Sequence, residues 1–290
     1  MYVMTQNAYI WYNGEFHRAD SMVLAVSNRS FRYGDGLFET IHCYGTEPYH
    51  LELHYERLTK GLQILEIEKP SSISKVKLGE VITKLLNKNR HFGSTRVRVT
   101  VFRNGEGLYT PESSDASIIV ESQPLDFKFY AYNQQGLIVD VYPDIKKSVN
   151  ILSTVKSCNA LLYVKAGLYR KRNLLDECII LNEFGRVAET ISSNVFVVKR
   201  GEIFTPGLTE GCIPGIMRRV VINLARSLGY KVFDDVALNT KVFSTCDEFF
   251  ITNAISGIRW VLGLGSNRYF NTVSRHLSIE LNKATFKDLV

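Results

Sequence analysis

Two helical stripes followed at once by an alternating strand restrict residues 51–103 to folds in which helices cover a sheet. Leu58, Leu62 and Leu65 share one side of a helix predicted over 51–65. Leu78, Val81, Ile82, Leu85 and Leu86 repeat at helical spacing over 75–89. The stretch 96–103 then alternates polar residues with Val97, Val99 and Val101, the two-residue period of a half-buried strand. Upstream, the turn Gly34-Asp35-Gly36 leads into a strand over 37–44. Its two faces are Leu37, Glu39, Ile41, Cys43 and Phe38, Thr40, His42, Tyr44. A further strand covers 117–121.

Periodicity fails from Gln123-Pro124 through Gln134-Gln135-Gly136, a stretch of turn residues. The sequence therefore predicts an N-terminal α/β domain over 1–122, an interdomain linker over 123–135 and a C-terminal α/β domain over 136–290. The second half predicts strands at 137–142, 177–181, 187–190 and 194–199, a hairpin closed by Gly201, and a return strand at 202–205. Helices are predicted at 159–171, from Gly215 with the stripe Val220, Val221, Leu224 and Leu228 up to Gly229, and from Ser274 onward. A short strand lies at 248–252. The expected class is α+β in two domains.

Composition excludes several classes. Hydrophobic residues make up 45% and charged residues 22% of the 290, which is ordinary for a globular chain. No apolar run approaches the length of a bilayer span, and Met1 to Gly14 lacks a basic segment followed by an apolar one. The five cysteines, Cys43, Cys158, Cys178, Cys212 and Cys246, are odd in number and form no C-x-x-C pair, which predicts reduced thiols in a cytoplasmic protein. The net charge of +6 suits anionic ligands. The basic residues form no long run, and neither an RNP motif nor zinc-finger spacing is present, so no nucleic-acid partner and no membrane are expected. The six histidines are dispersed without metal-ligand spacing. Phosphate-loop, H-E-x-x-H and G-x-S-x-G motifs are absent, and Gly34-x-Gly36 precedes a strand where a dinucleotide fingerprint would open a helix. A basic binding protein without catalysis is the alternative from another class.

Four blocks, taken in order, carry more specific information: Arg32-Tyr33-Gly34-Asp35-Gly36-Leu37-Phe38-Glu39-Thr40, Ala188-Glu189-Thr190-Ile191-Ser192-Ser193-Asn194-Val195-Phe196, Phe204-Thr205-Pro206, and Ile213-Pro214-Gly215-Ile216-Met217-Arg218. Together they resemble the class IV aminotransferases over nearly the whole chain, from about Asn13 to about Val261. The resemblance implies a two-domain enzyme of the D-amino-acid aminotransferase-like fold, with pyridoxal 5'-phosphate (PLP) at the domain junction, and a homodimer acting on a small amino-acid-like substrate. Lys156, in Thr154-Val155-Lys156-Ser157, matches the family's PLP-bearing catalytic lysine. Glu189 matches the carboxylate that pairs with the pyridine nitrogen, and Arg57 the arginine that binds the phosphate. Arg57 has no acid at helical i,i+4 spacing, so its fork needs a partner elsewhere. The start of the 215 helix offers the backbone N–H groups of Ile216 and Met217 to the phosphate. Most family members have Thr where this chain has Met217, so a hydroxyl contact is missing there. Ile213 matches the aliphatic residue on the ring, and Asn194 belongs to the same cofactor motif. Asn253 and Ala254 match the second phosphate loop. Phe38, Thr40 and Asn253 match substrate-facing positions, with Thr40 a second catalytic candidate.

Within the family, Phe38-Glu39-Thr40, Gly215-Ile216-Met217-Arg218 and Asn253-Ala254 agree with the 4-amino-4-deoxychorismate lyases, which release pyruvate and 4-aminobenzoate for folate biosynthesis. Branched-chain aminotransferases read F-E-G-I-R where this chain reads Phe38-Glu39-Thr40-Ile41-His42. D-amino-acid aminotransferases carry an Arg and a His where a gap-free comparison places Leu108 and Thr110; some lyases also carry an Arg near Leu108. The lyase is the leading expectation and a branched-chain-type aminotransferase the alternative.

Overall fold

The computed structural model describes residues 8–70 and 73–287. The first seven residues, part of the stretch read for a leader, lie outside them. The chain forms two compact units, one running through Lys128 and including Val155–Asn159, the other comprising Phe129–Thr154 and the residues from Ala160 onward. The division falls at Lys128, and β-structure of the first unit continues to Pro124. Val155–Asn159, which include Lys156, group with the first unit.

The first unit contains β1 (Tyr9–Tyr12), β2 (Glu15–Arg18), α1 (Arg29–Tyr33), β3 (Gly36–Tyr44), β4 (Glu47–Pro48), α2 (Leu51–Ile64), α3 (Lys75–Asn89), β5 (Thr95–Arg103) and β6 (Ala116–Pro124). Its strands form one antiparallel sheet in the order β2-β1-β6-β5-β3-β4. The helical stripes do what their spacing requires. Leu58, Leu62, Leu78, Ile82, Leu85 and Leu86 pack on Ile41, Cys43, Val97, Val99, Val101 and Val120. Burial of such side chains stabilises by roughly 1.5–3 kcal/mol each. Ser74 caps α3 by accepting from Lys77 N at 3.2 Å. The β1–β2 hairpin was not predicted, although Asn13-Gly14 is the strongest short hairpin signal, and both residues have positive φ, 48° and 114°.

The second unit contains β7 (Leu137–Val141), α4 (Leu161–Arg172), β8 (Glu177–Leu181), β9 (Val187–Thr190), β10 (Asn194–Lys199), β11 (Glu202–Pro206), α5 (Ile216–Ser227), β12 (Val232–Val236), β13 (Glu248–Asn253), β14 (Gly257–Leu264), β15 (Asn267–Arg268) and α6 (Thr272–Thr285). Its sheet runs β12-β11-β10-β13-β14-β7-β8-β9, with β15 beside β14, and mixes parallel and antiparallel pairs. The hairpin between β10 and β11 turns at Arg200-Gly201, both with positive φ, as the sequence predicted for Gly201. Val139, Ile179, Val195, Val197, Phe249, Ile251 and Val261 make the core on one sheet face. Among the described residues no helix is long and apolar enough to cross a membrane, and all five cysteines are free.

Candidate active site

In the first unit Lys156 is pinned to β3 by its backbone. Phe38 N donates to Lys156 O at 2.9 Å and Cys158 N to Gly36 O at 2.8 Å, with Ser157 bridging Leu37. The Lys156 ammonium then lies 4.5 Å from the centroid of the Phe38 ring. Gly34 makes room for this segment. It ends α1 in the left-handed region at φ 68°, and a Cβ there would come within 2.6 Å of Asn159 Oδ1. Phe38 and Thr40 stand on the sheet face away from the helices, as two-residue alternation from Leu37 and Ile41 demands. Across the ladder Thr40 opposes Arg98, and Phe38 opposes Thr100. The Arg98 guanidinium lies 3.6 Å from the Phe38 ring centroid, a cation–π geometry, and its Nε donates to Thr100 Oγ1 at 3.2 Å. Sequence reasoning missed Arg98. Its alternation with Val97 and Val99 puts it opposite the core, but only the β3–β5 register sets it beside Phe38.

Arg57 finds its partner on the other face of β3. Its Nε donates to Glu39 Oε1 at 2.7 Å and its NH2 to Glu39 Oε2 at 2.6 Å. Glu39 therefore occupies one edge of the guanidinium fork. His54 Nδ1 lies 2.6 Å from Glu39 Oε2, and because a carboxylate only accepts, the bonded tautomer carries its proton on Nδ1. Burial by itself would push the Glu39 carboxyl up, but the charges and hydrogen bonds of Arg57 and His54 outweigh it and bring the group down to about 2. Burial pushes the His54 imidazole down, against the pull of Glu39.

Also in this unit, the loop of Leu108 and Thr110 is held by Arg29, whose NH1 donates to the carbonyls of Glu106, Gly107 and Leu108 at 3.2, 3.0 and 2.8 Å. Asp35 anchors Arg29 in turn, accepting from its Nε at 2.9 Å.

In the second unit Glu189 is a buried carboxylate, 3% exposed, with three donors. The Lys147 ammonium and the Tyr163 hydroxyl, the latter at 2.6 Å, both donate to Oε1, while Ile213 N donates to Oε2 at 2.9 Å. Burial, and after it the charge of Glu189, push the Tyr163 phenol well above its ordinary range, so it stays a donor. A carboxylate has about four lone-pair directions, so one on Oε2 remains. Neither Lys147 nor Tyr163 was singled out from sequence; each reaches Glu189 through the fold, from the bridge to Asn182 and from α4.

The start of α5 has Gly215 as its N-cap with no side-chain capping bond, which leaves the first-turn N–H groups of Ile216 and Met217 without that partner. The Met217 side chain itself is fully buried in the core. A Cβ on Gly215 would collide with Asn194 Oδ1, so a side chain at this cap would have to displace the Asn194 amide. Asn194 Nδ2 donates to Ile213 O at 2.8 Å and so ties β10 to the loop before α5. Asn253 is similarly engaged: Nδ2 donates to Ser193 Oγ at 3.0 Å, and Oδ1 accepts from Ile255 N and Ser256 N at 3.0 and 2.8 Å. Its amide thus shapes the turn that carries Ala254.

The Amino-transferase class IV family model matches residues 36–263, and the chain belongs to that family. It is 29% identical over 259 residues to the branched-chain-amino-acid aminotransferase of Escherichia coli strain K12, covering 86% of this chain and 82% of that protein. A solved structure of the branched-chain amino acid aminotransferase from Escherichia coli superposes with a TM-score of 0.86 at 26% identity, over 96% of this chain and 94% of the other. The aminodeoxychorismate lyase of Bacillus subtilis strain 168 is 28% identical over 253 residues, 85% of this chain and 83% of that protein. The same fold is seen in a branched-chain aminotransferase from Thermobaculum terrenum in its PLP-form, with a TM-score of 0.86 at 20% identity, covering 97% of this chain and 95% of the other.

Proposed function

We propose that the chain is a PLP-dependent aminotransferase that moves an amino group between a small, branched-chain-type amino acid and a 2-keto acid. The observation that carries this reading is the group around Phe38 of β3: the Lys156 amine lies 4.5 Å and the Arg98 guanidinium 3.6 Å from its ring centroid. The residues fit the cofactor by the chemistry of their donors. Lys156 supplies the amine, Glu189 one open acceptor direction for a protonated ring nitrogen, and Arg57 with the uncapped start of α5 the donors an anionic phosphate needs. When bound, PLP supplies an electron sink for the carbon that bears the amino group. With PLP bound, Lys156 would be the base that takes the proton from that carbon onto its own amine. Glu189 would hold the proton on the ring nitrogen and Ile213 would pack on the ring, while Asn194 and Asn253 fix the two loops proposed for the phosphate by their own hydrogen bonds. Arg98 receives a substrate carboxylate.

The similarity to the Escherichia coli branched-chain enzyme supports the aminotransferase reading. Asn253, in one of the three blocks that favoured the lyase, is held by Ser193 Oγ and by its own turn at Ile255 and Ser256. For the lyase stand the Thr40 hydroxyl on the Phe38 face and the similarity to the Bacillus subtilis enzyme. Assaying the purified protein for amino transfer from branched-chain amino acids to 2-oxoglutarate, beside pyruvate release from aminodeoxychorismate, separates the two. The aminotransferase reading requires the first and fails if only pyruvate appears. In the latter case Thr40→Val should abolish most of the release.

We further propose a homodimer in a reducing, cytoplasmic setting. Leu161, Val164 and Leu168 follow each other along the exposed side of α4, with Leu174 just beyond, 79%, 53%, 51% and 91% exposed. Light scattering that finds only monomer at micromolar concentration would refute the dimer.

A further inference from the structure

We propose that Lys147 is the resident counter-charge of Glu189 and acts, through that carboxylate, as a positioning residue that shares it with the cofactor's ring nitrogen. The inference rests on the PLP reading above and goes beyond it, because it assigns a lysine that does not touch the cofactor. Lys147 is fixed at both ends. Its backbone N–H donates to Leu181 O at 2.9 Å and its carbonyl accepts from Glu183 N at 2.9 Å, which locks it beside the end of β8. Its side chain is only 8% exposed, with the ammonium on Glu189 Oε1 and 5.6 Å from the Tyr163 ring centroid. A lysine is rarely this buried without a charge to meet.

Two consequences follow from which oxygen each donor uses. Among the described residues Lys147 and Tyr163 share Oε1, whereas Ile213 N alone meets Oε2. Oε2 is therefore the oxygen that would be left to hold a ring nitrogen, and the three donors fix the plane of the carboxylate without a cofactor. The second consequence concerns charge. A buried carboxylate without a cation is strongly unfavourable. Lys147 removes that cost in the cofactor-free protein and, by the same attraction, weakens the hold of Glu189 on a protonated ring nitrogen. Lys147 and the ring nitrogen thus compete for one negative charge. Of the other ionisable neighbours, the Tyr163 phenol is kept protonated by burial and by Glu189, and the Cys212 thiol is pushed up to about 12 by burial and by Glu189, so neither brings a competing charge.

The experiment is a thermodynamic cycle on the full chain. PLP affinity is measured by absorbance titration and by the rise in melting temperature at saturating PLP for the parent, Lys147→Met, Glu189→Gln and the double variant. Lys147→Met should melt lower than the parent without PLP, bind PLP more tightly by on the order of tenfold, and gain more from PLP on melting. Those changes should vanish in the Glu189→Gln background, and Lys147→Arg should behave as the parent. Unchanged or weaker binding by folded Lys147→Met, or the same tightening with Glu189→Gln present, would overturn the inference and leave Lys147 a structural residue. If Lys147→Met does not fold, Lys147→Gln is measured in its place with the same outcomes required. A parent protein that shows no PLP absorbance and no thermal gain would instead overturn the cofactor reading itself.

Discussion

Arg57 on α2 and Glu39 on β3 form a two-bond ion pair, 2.7 and 2.6 Å, on the buried face of the first sheet. The pair joins the helix that carries the proposed phosphate arginine to the strand that carries Phe38 and Thr40. Its carboxyl titrates well below the ordinary value, from 4.5 to about 2, so its stabilisation is fully present above 4.5 and is lost as pH falls through about 2. The shift corresponds to about 3 kcal/mol. Glu39→Gln should be less stable than the parent by about that amount near neutral pH in urea denaturation. The gap should narrow steadily as pH falls from 4.5 toward 2. A gap independent of pH would show that the charge of Glu39 is not what stabilises the contact.

Much of this was legible in the sequence, and the boundary is physical. The stripes of α2 and α3 and the valine alternation of β5 are local periodicities, so their elements and core faces could be read directly. Lys156, Glu189 and Arg57 stood out through motif spacing. Their partners did not, because Glu39, Lys147 and Tyr163 reach them only through strand register and helix placement. Nothing near Arg57 in sequence signals Glu39, 18 residues away. The β1–β2 hairpin is a different kind of miss, since Asn13-Gly14 announced it.

Arg57→Ala should weaken PLP binding about tenfold to a hundredfold, the worth of charge-assisted hydrogen bonds to a phosphate. Pyridoxal, which lacks the phosphate, should bind parent and variant alike. Arg57→Lys keeps a cation beside Glu39 and isolates the loss of the fork. Equal losses for both ligands would move the phosphate site elsewhere.

Arg98→Met should raise the KM for 2-oxoglutarate by roughly tenfold to a hundredfold, because a dicarboxylate loses one charge-assisted contact. A monocarboxylic keto acid should be affected much less, and kcat should change little. If both keto acids suffer equally, Arg98 serves the shared carboxylate or the packing of Phe38.

Glu189→Gln should retain PLP but slow removal of the substrate proton by orders of magnitude, since a neutral amide no longer holds the ring nitrogen protonated. Single-turnover loss of deuterium from an α-deuterated amino acid reads that step alone. Parent-like exchange would remove Glu189 from the mechanism.

The central claim is that Lys156, pinned to β3 beside Phe38, carries the cofactor. Borohydride reduction of the PLP-loaded protein followed by peptide mapping tests it most directly. A single pyridoxyl label on Lys156, absent in Lys156→Ala, is the predicted result. A label on Lys147 or Lys165, or none at all with PLP bound, would contradict it.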